Sequence, residues 1–285
     1  MPPHSKNTRA LALLVTLAAG LGHAGDAGAK AKATKNAPEK TDEAPKTDLS
    51  ALEKQLAGDE QTILAALASV EESGDPATAP LIGKLLERGG TAKVLDAALK
   101  AAAKLKAPSL SPAVAPYVQH RVEEIRRGAV RALLKTKGPV AVEALRKGLR
   151  SADAAVRGTS ATGLGALGAH ESMDDLFRAF DHGVAEAGAA IGQLCSPEEC
   201  DKFSERTGRV ALDIMVTGFD QILFRPASEI PDDEKIRLVG RLREVATPEV
   251  GKYLADVGER WPKDWSKKVK QAIDSAAHAV GGAKK

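Results

Sequence analysis

Both cysteines of the 285-residue chain lie in one stretch, Leu194-Cys195-Ser196-Pro197-Glu198-Glu199-Cys200. Two thiols at this spacing could ligate a metal, cycle between dithiol and disulfide, or staple the backbone. They fall short of a structural zinc's ligand set, and no histidine stands where it would complete one. The C-x-x-C spacing of catalytic dithiols is shorter than the one found here. Ser196 suits a helix N-cap, Pro197 suits the first turn, and Glu199 completes a capping box. Cys195 then precedes the cap and Cys200 is the fourth helical residue, two positions that normally meet as a hydrophobic staple. In an oxidising compartment the expected outcome is a Cys195–Cys200 disulfide, with free buried thiols as the alternative.

Other chemistry-bearing patterns are weaker. Gly163-Leu-Gly-Ala-Leu-Gly168 has the letters of a dinucleotide fingerprint, but that motif needs a preceding strand and a helix opening at the glycines. The residues before it read as helix, so Gly163 and Gly165 are expected to permit close packing and Gly168 to end the helix. His4 and His23 lie in the leading segment, and His120, His170, His182 and His278 have no nucleophile at a motif spacing. No catalytic residue, cofactor or metal ligand is assigned, and a non-catalytic protein is expected.

The elements that carry these residues begin after a leader. Lys6 and Arg9 precede an uncharged apolar run, Ala10 to Gly22, with small-residue cleavage patterns ending at Ala24 or Ala29. Residues 1–29 are the expected signal peptide, which places the protein in the periplasm or outside the cell with no membrane span after cleavage. Residues 30–48 lack large apolar side chains and are the expected disordered linker.

Apolar residues make up 43% of the chain and aromatics 3%, so Ala, Leu and Val dominate and an all-α fold is expected. Ile63, Val94, Ile125 and Val156 recur every 31 residues, and Val184 follows after 28. Leu99, Val130 and Ala161 keep the offset, as do Val118, Leu149 and Phe180. These spacings place each set on one helical face and two amphipathic helices in each unit. Asp75-Pro76, Ser111-Pro112, Ser196-Pro197 and Thr247-Pro248 read as cap-plus-proline starts of the second helices. A lone hairpin leaves its apolar stripe bare, so the units must stack over residues 49–207.

In Asp153-Ala-Ala-Val-Arg157, with its following Ala-x-x-Leu core, the sequence resembles the HEAT-repeat family in its short form of about 30 residues, also found in phycobilin lyases. Val122 to Leu133 repeats the pattern. The resemblance implies a right-handed solenoid of helical hairpins, an Asp–Arg ladder through Arg126, Asp153 and Arg157, and a concave face lined by the second helices. At Ala185 the family arginine is missing, and the regular stack is expected to loosen there. Residues 208–285 lose the period and form a divergent helical C-terminal part. Eight of the nine aromatics lie from Phe177 onward.

Residues 121–157 carry a net charge of +6 and residues 171–205 one of −7. The expected function is a scaffold that binds a protein partner on the concave face. Its candidate contact residues are Gln119, Glu143, Arg146, Lys147, Arg150, Asp174, Phe177 and Arg178, with Phe177 as apolar anchor. Nucleic acid is not expected, because no aromatics interleave the basic run for bases to stack on. The resemblance also leaves open a lyase-like helper, and a purely structural envelope protein is the other alternative.

Overall fold

A computed structural model describes residues 47–281. The expected signal peptide and all but the last two linker residues lie outside them. Asp48 belongs to the fold, because its carboxylate caps α1 (Leu49–Leu56) by accepting from the N–H groups of Ser50 and Ala51. The helices that follow are α2 (Glu60–Ser73), α3 (Ala79–Arg88), α4 (Ala92–Leu105), α5 (Ser111–Val114), α6 (Glu123–Thr136), α7 (Pro139–Gly148) and α8 (Ala154–Ala166). Then come α9 (Met173–Asp181), α10 (Glu186–Leu194), α11 (Pro197–Ser204), α12 (Leu212–Leu223), α13 (Asp232–Val245), α14 (Pro248–Arg260) and α15 (Lys267–Gly281). The described residues contain no strand.

The chain is an all-α solenoid of two layers. Even-numbered helices pack on one another in the order α2, α4, α6, α8, α10, α12, and α14 follows against α12. Odd-numbered helices form the other layer. The 31-residue spacing comes from burial: Val94, Ile125 and Val156 are each the third residue of an even helix and are at most 3% exposed. Their side chains sit between layers, where each buried Val or Ile contributes about 1.5–3 kcal/mol.

The alternation of layers outlasts the sequence period. Beyond residue 207, α12 packs on α10, α13 on α11, and α15 on both α13 and α14. The change lies in helix length: α7, α9 and α11 have 8–10 residues, whereas α13 and α15 have 14 and 15. Aromatic side chains fill the larger interior. Phe180, Phe203, Phe219 and Tyr253 follow one another with ring centroids 5.2, 5.6 and 6.5 Å apart.

The stack does not loosen after Ala185. A Cβ on Gly192 of α10 would lie 2.3 Å from the Gly218 carbonyl of α12, and one on Gly218 would lie 2.6 Å from the Gly188 carbonyl. Missing side chains let these two backbones approach more closely than larger residues allow. Ser111 is a second departure. It caps nothing; its hydroxyl donates to the Lys137 carbonyl at 2.7 Å and lies 2.8 Å from the Thr136 hydroxyl, from which it can accept.

Gly192→Ala is therefore expected to destabilise the protein by about 1–3 kcal/mol, because backbone must move to admit the methyl. Gly240→Ala, in the interior of α13 with no neighbouring atom within 4 Å of its new Cβ, is expected to stabilise by about 0.5–1 kcal/mol. Chemical denaturation followed by circular dichroism measures both; equal effects of the two substitutions would reject the close-approach account.

Candidate functional site

The cysteine pair is a staple. Cys195 and Cys200 form a disulfide with 5.2 Å between Cα atoms, and both residues are buried. The capping box beside it is complete: Ser196 N donates to Glu199 Oε2 at 2.8 Å, and Glu199 N donates to Ser196 Oγ at 3.3 Å. Arg225 reaches back from the end of α12 and donates to the Cys195 carbonyl at 2.7 Å. Gly163 and Gly165 lie inside α8, and Gly168, at φ +67°, follows its end. The Ala169 N–H donates to the Leu164 carbonyl, which closes a Schellman turn.

Arginine–aspartate rungs join successive repeats, but not at the arginines expected. Asp153 accepts from Arg127, not Arg126, with Nε and Nη2 at 2.9 and 3.3 Å. Arg126 folds back on the turn before its own helix and donates to the carbonyls of His120 and Arg121. Arg157 does the same with Ser151 and Ala152. Consecutive helical residues are about 100° apart, so only the residue after Arg126 faces the next repeat's N-cap. Two candidate partner-binding residues are likewise occupied. Arg146 donates to Asp175 of α9 at 2.7 Å and to Glu143 at 3.1 Å. Phe177 is 5% exposed and lies beneath the cations of Lys202 and Arg206, so it offers no anchor. Asp174 and Arg178 are exposed on α9, with Arg178 turned onto Asp175.

The remaining candidates converge. Gln119 and Lys147 line two adjoining hollows between residues 112–121 and α7, of about 460 and 520 Å³, and Arg150 lines the larger. One hollow is walled by Pro112, Pro116, Pro139 and Val140, with Glu143 at its side. Val140 is 42% exposed, one of three large apolar residues so exposed among those described. The other hollow collects Arg121, Arg126, Lys147 and Arg150, with no carboxylate in its lining. Sequence reasoning missed Arg121 and Val140; the pairing of Val140 with the prolines across the groove has no signal in spacing. Lys147 lies 3.9 Å from Glu143, while Arg121 and Arg150 pair with no carboxylate of the described residues. His120 is engaged locally, its Nδ1 accepting from the Val122 N–H.

This two-layer frame with its ladder is matched by a family model for HEAT repeats over residues 79–164 and 117–195. The groove lies wholly within the matched residues. Similar solved structures include the CpcE–CpcF complex of phycocyanin lyase from Nostoc sp. PCC7120, at 16% identity over 85% of this chain and 100% of that one, with a TM-score of 0.44. An engineered protein matches at 14% identity over 81% and 68%, with a TM-score of 0.49. A designed armadillo repeat protein matches at 15% over 82% and 100%, with a TM-score of 0.41. No curated protein matches the sequence.

Beyond the matched residues, a hollow of about 390 Å³ opens beside Lys235, Trp261 and Trp265. Lys235 is 1% exposed; its ammonium donates to the Arg225 carbonyl and lies 4.9 and 5.6 Å from the two indole rings. Burial pushes its pKa down. No helix among the described residues is long and apolar enough to cross a membrane.

The ladder carries a pH dependence. Hydrogen bonds from Arg127 and Arg206 hold the carboxyls of Asp153 and Asp181 below the usual range. Burial would raise that of Asp175, but Arg146 and Arg178 outweigh it and the net shift is downward. A depressed folded pKa means stability that is present above the unfolded value, about 4, and lost as pH falls through the folded one. Asp175→Asn is thus expected to cost about 1–3 kcal/mol near neutral pH. The gap from the unaltered protein should narrow below about pH 4, as denaturation at a series of pH values will show. Alkylation without reductant is expected to label neither cysteine in protein taken from its native compartment; labelling of both would reject the staple.

Proposed function

We propose that the protein is an exported, non-catalytic HEAT-repeat scaffold that holds a protein partner on the face built by its odd-numbered helices, with the groove along α7 as the contact centre. One observation carries this reading: an exposed apolar wall adjoins a cluster of cations in which Arg121 and Arg150 have no carboxylate partner among the described residues and Lys147 only a distant one. Elsewhere along the array three arginines, Arg127, Arg146 and Arg206, meet aspartates of an adjacent repeat. A solenoid offers such a surface on a rigid frame, since each repeat is fixed by its neighbours. Interfaces of this kind draw their affinity from a few buried anchors ringed by polar contacts.

Export is supported by the leader pattern and by the disulfide, which persists in oxidising compartments. The non-catalytic reading is supported by the groove's chemistry. Its guanidinium and ammonium groups bind and orient anions, and its histidine is held by a backbone N–H.

A photoreactive residue placed at Val140 is expected to capture a discrete protein in intact cells. The same residue at Thr162, exposed on α8 in the even layer, should not. Equal capture from both positions, or none from Val140, would remove the groove as the contact centre. Fractionation of the same cells tests export, with recovery in the cytoplasm as the contrary result.

A further inference from the structure

We infer that the groove receives an extended acidic segment of the partner, in which one apolar side chain enters the proline-walled hollow and carboxylates about three residues away meet Arg121, Lys147 and Arg150. This deepens the partner-binding reading and rests on it.

The spacing follows from the helix. Val140 lies in the first turn of α7 and Lys147 in its last. Seven residues at about 1.5 Å each separate them by about 10 Å, which an extended chain covers in about three residues at about 3.3 Å per residue. The two hollows share Val118, Gln119 and Lys147, so the path between them is continuous. Gln119 lies exposed along it, with both a donor and acceptors for peptide groups.

Charge selects the ligand's sign. Lys147 in the last turn also complements the helix dipole, a role that needs no ligand. Arg121 cannot serve that purpose, because it precedes α6 and reaches the hollow from the opposite wall. Cations from two elements therefore converge on one space. Arg126 adds a fixed charge behind them, held by two backbone carbonyls, and its buried Nε has no partner. The apolar half selects the class. A nucleic acid could use the basic hollow but would leave Val140 and the prolines uncovered, and the two linings hold no Phe, Tyr or Trp for its bases, only the His120 ring whose Nδ1 accepts from the Val122 N–H. A peptide whose acidic residues stand next to an apolar one covers both halves.

The test uses the purified protein and fluorescein-labelled peptides carrying one leucine, two alanines and then three acidic residues, made in both chain directions. At least one should bind, and its affinity should fall as salt is raised. Arg121→Glu with Arg150→Glu is expected to weaken it by about tenfold or more, and Val140→Asp by several-fold. Both arginines and the valine are exposed, so unchanged circular dichroism verifies the fold; Arg121→Ala with Arg150→Ala should give a smaller loss in the same direction. A peptide lacking the leucine, or with six alanines between leucine and acids, should bind less tightly. The inference is overturned if neither direction binds at about 1 mM protein, if the leucine-free peptide binds equally well, or if single-stranded DNA of equal charge binds more tightly. Should Val140 crosslink a protein in cells while these peptides fail, the acidic-segment inference falls and the docking reading stands. Should that crosslink be absent, the docking reading falls first.

Discussion

Apolar contact between successive even-numbered helices is the interaction on which everything else in this chain depends. No hairpin covers its own stripe: Ile125 and Val130 of α6 need α4 on one side and α8 on the other, and the same holds along the array. The buried apolar residues from Leu52 to Ala276 accordingly form one continuous cluster. Burial of this kind is non-directional, so it fixes the helices in order without fixing their polar partners. The arginine–aspartate rungs supply the direction. They are partly exposed pairs whose individual contributions are modest, and they hold each repeat in register with the next.

That division of labour explains what could be read from the sequence. The 31-residue recurrence was legible because the layer interface is mostly apolar, and Ile63, Val94, Ile125 and Val156 report it directly. The staple was legible because Ser196, Pro197 and Glu199 act within one turn of helix. The ladder was legible only in kind. Arg126 and Arg127 are adjacent in sequence, and choosing between them requires knowing which face of α6 meets the N-cap of α8. Phe177 was misplaced for a similar reason: Lys202 and Arg206, which cover it, lie on α11 and in the turn just after it. After residue 207 the recurrence disappears although the alternation of layers continues, because longer helices and aromatic side chains fill the same interior with different residues.

The ladder also decides which charges remain for function. In the sequence, the basic stretch 121–157 and the acidic stretch 171–205 look like two surfaces of opposite sign. In the folded chain part of each charge is taken up: Asp175 takes Arg146 across the two stretches, Asp153 takes Arg127 within the basic one, and Asp181 takes Arg206 just past the acidic one. A tally of charges thus overstates both surfaces. Within the groove, Arg121 and Arg150 have no partnering carboxylate among the described residues and Lys147 has only a distant Glu143.

The groove arises there through a defect in the odd layer. Pro108, Pro112 and Pro116 stand four residues apart, each without the N–H that a continuous helix would use and each crowding the turn before it. The chain answers with a 3-10 turn over Pro108–Leu110, the four-residue α5, and a second 3-10 turn over Ala115–Gln119. Ser111 fastens this broken segment to the end of α6, and the Tyr117 hydroxyl fastens it to the Leu86 carbonyl of α3. Held at both sides but unable to form a full helix, it leaves part of α7 uncovered, so Val140 is exposed and the rings of Pro112 and Pro116 become walls. A regular helix at this place would close the layer and bury the apolar half of the groove. The prolines that interrupt the repeat therefore create the surface on which the proposed partner docks.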